Sequence, residues 1–152
     1  MNTKKIWVLE KKYTQEDIDG IKTLIETMIS DGDIPEDRVE EAREKASRTK
    51  VGDWKTYKVS NNYYRFCGEC IRAIGREDAL AVAALKKELG PNTQYSEETK
   101  AKFRDVHNKV YSQFRVVEAE VPADSKYMLD YTVTKVNEGV YKYIWTNKKN
   151  MG

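Results

Sequence analysis

The chain has 152 residues, of which 39% are hydrophobic, 34% charged and 11% aromatic, with 8 glycines and 3 prolines. This is the size of one ordinary domain with enough large apolar side chains for a core, so the composition excludes a disordered, collagen-like or low-complexity chain. The formal net charge of +2 by itself indicates neither a nucleic acid nor a membrane as the partner. The longest nearly uncharged run, 79–85, is far shorter than a spanning helix, so we expect no membrane association.

The first strand and the first helix are predicted from the N-terminal residues. Residues 5–10 include four large apolar side chains in succession, which is typical of a short, largely buried strand. Thr14 with Asp17 resembles a capping box, so a helix begins there and ends before Gly32. Its core-facing side chains follow a spacing of three and four residues: Ile18, Ile21, Leu24, Ile25, Met28 and Ile29.

A surface helix and a second strand should follow. Pro35 suits the first turn of a helix that runs to Thr49, and few of its residues are apolar enough to enter a core. Residues 53–60 alternate polar and apolar side chains, which predicts a strand with one wet face.

Two more helical stretches are predicted in the middle of the chain. Asn61 or Asn62 can cap a third helix, which Gly75 breaks or kinks before it continues from 77 to 89. Ser96 caps the last helix, whose apolar face would include Phe103, Val106, Val110 and Phe114.

The C-terminal part predicts three strands, over 115–121, 126–136 and 140–146, the last two joined by a three-residue loop ending at Gly139. One face of that hairpin would gather Leu129, Tyr131, Val133, Tyr141, Tyr143 and Trp145. The predicted fold is therefore α+β, a single domain over residues 1–152 with a mainly antiparallel sheet of about five strands and four to five helices packed on it.

Charge is spread unevenly along the chain. Residues 14–49 carry eleven acidic and five basic side chains, whereas residues 50–76 carry six basic and two acidic ones. In 50–76 the bases interleave with aromatic residues, the combination that pairs with phosphates and stacks on nucleobases. The candidate ligand-binding residues are Trp54, Lys55, Tyr57, Lys58, Tyr63, Tyr64, Arg65 and Arg72. The competing interpretation is that the rings belong to the core and the bases to the wet side of the same elements.

No catalytic motif is found. Cys67 and Cys70 form a C-x-x-C, but a zinc site needs four ligands and His107 is the only histidine, so we expect two small core residues and no metal or cofactor. His107 is expected to be a partly buried, hydrogen-bonded side chain. Phosphate-cradling glycine loops are absent from the sequence. With so few cysteines and no secretory signal, the chain is expected to be cytoplasmic.

Two functions remain open. The first is a small non-catalytic module that binds an anionic ligand, a nucleotide or nucleic acid, through residues 50–76. The second is a protein-interaction or inhibitor module that docks on a basic partner through its acidic helices over 14–49. In its shortness, its charge and its lack of motifs the chain resembles the accessory proteins with which bacteriophages redirect host machinery.

Overall fold

The computed structural model describes residues 2–126, 128, 130–137, 139 and 140. They form an α+β fold, as predicted. The elements, in chain order, are β1 (Thr3–Lys12), α1 (Gln15–Ser30), a 3-10 turn (Glu36–Arg38), α2 (Val39–Arg48), β2 (Trp54–Ser60), α3 (Tyr63–Leu89), α4 (Glu97–Ser112), β3 (Phe114–Pro122) and β4 (Thr132–Asn137). Of the helices in these residues, none combines the length and the hydropathy needed to cross a bilayer.

The strands form one sheet in the order β2-β1-β3-β4. β1 runs antiparallel to β3, from Thr3 opposite Pro122 to Lys11 opposite Phe114, and β4 runs antiparallel to β3. The fifth predicted strand, over 140–146, falls outside the described residues apart from Val140, which is buried.

The chain divides into two compact units. The smaller unit comprises residues 12–55, and the larger one comprises residues 1–11 and 56–152. The boundary falls within β1 and within β2. That residues 1–152 act as one domain stays a prediction.

The central strands β1 and β3 are buried on both faces, because neighbouring residues of these strands belong to different core clusters. Leu9 and Val116 pack with α3 and α4, whereas Val8 and Val117 pack in the opposite cluster. This explains why β1 is apolar without alternation. The α3–α4 side of the core further contains Phe66, Cys70, Ala73, Ile74, Val110, Phe114 and Val140.

A buried carboxylate ties the strands together. Glu10 on β1 accepts a hydrogen bond from Arg115 Nε at 2.7 Å and another from the Tyr131 hydroxyl at 3.1 Å. The Tyr131 oxygen lies 2.6 Å from the Thr56 hydroxyl. Because the tyrosine proton is given to Glu10, the Thr56 hydroxyl must donate to Tyr131. Glu10, Thr56 and Arg115 come from three different strands, so the network joins β1, β2 and β3 with the residue that precedes β4.

In the smaller unit, the start of α1 matches the prediction. The Thr14 hydroxyl accepts from the Asp17 N–H, and the Asp17 carboxylate accepts from the Thr14 N–H, which completes the capping box. Gly32 has the left-handed φ of +77° that the end of the helix requires.

The predicted apolar face of α1 is covered less than expected. Ile18 is buried, Leu24 is 58% exposed, and Ile21, Ile25, Met28 and Ile29 are half-buried. The neighbouring helix α2 has no buried residue and contributes only alanines as apolar side chains to the space beside α1. A cleft of about 470 Å³ remains between the two helices, and its lining includes Ile21, Ile25, Ala42 and Ala46.

Three other expectations are wrong in detail. α3 runs through Gly75 without a break, since the neighbouring Ala73 and Ile74 are held in the core and outweigh the roughly 1 kcal/mol helical penalty of glycine. Phe114 is the first residue of β3 and does not lie on the α4 face. β4 begins at residue 132 because the chain first turns after Pro122 and then takes a left-handed φ of 55° at Met128.

Candidate functional site

The exposed side of α3 carries a row of arginines. The Asn62 side chain caps the helix by accepting from the Arg65 N–H, and the opposite side of α3 is held in the core. Arg65, Arg72 and Arg76 are spaced by seven and four residues, so they share one face and extend along about 16 Å of helix. All three are exposed. We call these three residues the arginine face.

Little negative charge opposes the arginine face. Arg65 lies 3.5 Å from Glu69, one turn further along the same helix. Arg72 and Arg76 form no ion pair with any residue that the structure describes. The flank of the helix is also open, because a Cβ placed on Gly68 or Gly75 would meet no atom within 4 Å. Two uncompensated guanidinium groups therefore face solvent on a rigid element.

Of the four rings predicted for the site, Tyr64 is the exposed one, with 65% of its surface accessible. Tyr63 is half-buried and makes an edge contact with Trp7 at 5.3 Å between ring centroids. Tyr57 packs edge-on against Phe114 at 5.8 Å. The packing interpretation therefore describes Tyr57 and Tyr63. Tyr64, the neighbour of Arg65 in the chain, contacts the Tyr63 ring edge-on at 5.8 Å between centroids and leaves most of its surface in water.

The two lysines of the predicted site differ in their surroundings. Lys58 is exposed on β2, and its ammonium lies 5.7 Å from the Tyr57 ring centroid. Lys55 belongs to the smaller unit and is engaged there, 3.2 Å from the Asp17 carboxylate and 4.9 Å from the Tyr13 ring centroid. Its positive charge is therefore already compensated.

The pKa of Asp17 reflects this pairing with Lys55. Burial raises the pKa of Asp17, but the hydrogen bond from the Thr14 N–H and the nearby Lys55 ammonium outweigh burial and hold that pKa below its usual value. Trp54 lies in the same unit, with the Lys12 ammonium 5.3 Å from its ring centroid. The candidates Trp54 and Lys55 thus have structural contacts within residues 12–55.

The predicted site residues are therefore grouped as follows. Tyr63, Tyr64, Arg65 and Arg72 lie in the first three turns of α3, and Tyr57 and Lys58 lie on β2. The arginine face also includes Arg76, one of the six bases of the 50–76 segment that was not singled out as a ligand-binding residue. The signal for it was present, since residue 76 lies one helical turn after Arg72.

The surroundings of the two cysteines and of the histidine indicate that these side chains stabilise the fold. Cys67 and Cys70 are both buried, as predicted, and burial raises the pKa of both thiols, which makes them poor nucleophiles. His107 on α4 places Nδ1 at 2.7 and 2.8 Å from the two oxygens of Asp78 on α3, so this pair links the two helices. Within the described ranges, no three His, Cys, Asp or Glu residues are grouped closely enough to hold a metal ion.

A scan against protein-family models finds no match, and neither do searches of the curated proteins and of the solved structures.

Proposed function

We propose that this protein is a cytoplasmic, non-catalytic module that binds nucleic acid through the arginine face of α3. The observation that carries the proposal is the pair Arg72 and Arg76, exposed on a long helix without an ion-pair partner among the described residues. Guanidinium groups recognise phosphates by charge-assisted, often bidentate hydrogen bonds.

The spacing of the charges favours a polymer over a single nucleotide. Arg65 and Arg76 are separated by about 16 Å along the helix axis, which is too far for both to bind one phosphate group. A chain of phosphates can occupy all three arginines at once, and each contact releases condensed counterions. Tyr64 offers a ring on which an unpaired base can stack.

Contacts of this kind read the phosphate backbone and not the base sequence. The arginine face is expected to bind nucleic acid with little sequence preference. The exposed Tyr64 ring further predicts a preference for single strands over duplexes, because only an unpaired base presents its face for stacking.

Charge reversal tests the proposal. Fluorescence anisotropy with short labelled single-stranded and duplex oligonucleotides should show that Arg72→Glu/Arg76→Glu lowers the affinity at least about tenfold. The matched control is Lys102→Glu/Lys109→Glu, which makes the same change in net charge on the exposed surface of α4. The control should retain most of the affinity, because solvent screens charges that do not contact the ligand.

Two results would contradict the proposal. One is a wild-type chain that binds neither oligonucleotide at low salt. The other is an equal loss of affinity in both double variants, since that would mean a nonspecific response to net charge.

A second candidate function rests on the smaller unit. Leu24 is 58% exposed on α1, and the half-buried Ile21 and Ile25 line the cleft beside α2. With a net charge of −6 over 14–49, this unit is suited to a basic, amphipathic helix of a partner protein.

An NMR titration with a synthetic basic amphipathic peptide tests this alternative. It predicts shifts of α1 and α2 amides that Leu24→Lys abolishes, because the substitution places a cation on the apolar surface. Shifts that persist in Leu24→Lys, or a titration without shifts in wild type, would exclude it.

A further inference from the structure

A second concave site lies at the other end of α3, apart from the arginine face. The last turn of α3, the connecting segment and the first turns of α4 line a half-open cavity of about 590 Å³, which is in the range of small-molecule pockets. Its lining includes the apolar side chains Leu89, Pro91 and Phe103, together with the ring of Tyr95.

Two aromatic side chains in the lining of this cavity offer a flat surface to a planar ring. Tyr95 and Phe103 are stacked, with ring centroids 6.2 Å apart and an angle of 19° between their planes. Tyr95 nevertheless leaves 72% of its surface in water, which is unusual for a large aromatic side chain. A third ring that enters the cavity can extend this stack and remove apolar surface from water.

The polar groups that line the cavity indicate which charge a ligand should carry. The Thr93 hydroxyl donates to the carbonyl oxygens of Leu89 and Gly90, and the Thr99 hydroxyl lies 3.2 Å from Ser96 Oγ, so both hydroxyls are already used within the protein. Lys86 and Lys87 are exposed and form no ion pair with the described residues. The charged side chains of the lining are therefore cationic, and they favour an anionic group.

We propose that this α3–α4 pocket binds a small planar aromatic anion, with the ring against Tyr95 and Phe103 and the acidic group at Lys86 and Lys87. A nucleoside monophosphate and an aromatic carboxylate share this chemistry. The proposal does not depend on the arginine face, because none of the three arginines lines the pocket.

An NMR titration of the full chain tests the proposal with two anionic probes, adenosine 5′-monophosphate and 2-naphthoate, and their neutral counterparts adenosine and 2-naphthol. At least one anionic probe should shift the amides of Gly90, Thr93 and Thr99, and should bind roughly tenfold more tightly than its neutral counterpart. A tighter phosphate identifies a nucleotide as the ligand type, and a tighter naphthoate identifies an aromatic acid.

Variants complete the test. Lys86→Ala/Lys87→Ala should remove the advantage of the anionic probe, whereas Lys102→Ala/Lys109→Ala should retain it. The proposal is overturned if no anionic probe shifts the pocket amides at ~1 mM, or if the Lys86/Lys87 variant binds like wild type. Arg72→Glu/Arg76→Glu should leave pocket binding unchanged, so the failure of one proposal is distinguishable from the failure of the other.

Discussion

Replacing Glu10 by alanine should destabilise the fold by about 2–4 kcal/mol. The carboxylate is buried and accepts hydrogen bonds from Arg115 at 2.7 Å and from Tyr131 at 3.1 Å. A hydrogen bond to a charged group contributes about 1.5–3 kcal/mol, and a buried partner left unpaired adds to the loss. Because the Arg115 side chain keeps 28% of its surface exposed, water recovers part of this energy. The expected loss therefore lies below the sum of two full contributions.

Urea unfolding followed by far-UV circular dichroism measures this loss. Glu10→Gln keeps an acceptor without the charge, so it should cost less, about 1–2 kcal/mol. Glu120→Ala is the matched control, since Glu120 is exposed on β3 and forms no ion pair with the described residues. Its effect should stay within about 0.5 kcal/mol.

The reasoning would be refuted if Glu10→Ala and Glu120→Ala cost the same. A Glu10→Gln variant that is less stable than Glu10→Ala would also contradict it, because the network would then not depend on an acceptor at this position.

Three further predictions concern stability and reactivity. The hydrogen bond from the Lys5 ammonium lowers the pKa of Glu118. The stabilisation that this carboxylate contributes is therefore fully present above the pKa that Glu118 has in the unfolded chain, and it is lost as the pH falls through the lower pKa of the folded chain. Denaturation curves should show that Glu118→Gln loses less stability than wild type below about pH 5. Cys67 and Cys70 should react with a thiol reagent only at the rate of unfolding, and fast labelling of the native chain would contradict their burial. Ile25→Ala should cost about 1–2 kcal/mol because the side chain is half-buried, against about 3–5 kcal/mol for Phe66→Ala, and equal losses on thermal unfolding would refute the difference.

The local structure could be predicted wherever a short-range signal decides it. The capping residues Thr14, Asn62 and Ser96 start three helices as expected, and Gly90 ends α3 with a φ of +84°. Each of these signals depends on hydrogen bonds or backbone angles within a few residues, which the sequence contains in full.

Features that depend on distant packing could not be predicted. The continuity of α3 through Gly75 depends on the core that holds the flanking residues, and the half-burial of Ile21 and Ile25 depends on the open cleft beside α2. The Glu10 network likewise joins residues that lie 105 and 121 positions apart in the sequence. A single sequence does not show how the strands pair, so it gives no sign of such contacts.

Only part of the candidate site could be predicted, because its ring contacts also depend on distant packing. Basic and aromatic residues over 50–76 have the same pattern whether the rings pack or stack. The contacts that decide between packing and stacking come from elsewhere in the chain: Trp7 on β1 packs against Tyr63, and Phe114 on β3 packs against Tyr57. Lys55 is engaged by Asp17, so its reversal would disturb the smaller unit and is a poor test of binding.

The salt dependence of oligonucleotide binding tests the proposed function most directly. Each phosphate contact contributes about 0.9 to the slope of log K against log salt concentration on a duplex, and about 0.7 on a single strand. Between about 50 and 200 mM salt, Arg72→Glu/Arg76→Glu should therefore have a slope smaller than that of wild type by about 1.4 on a single strand and about 1.8 on a duplex. The Lys102→Glu/Lys109→Glu control should keep the wild-type slope. Equal slopes in all three proteins would contradict phosphate binding by the arginine face.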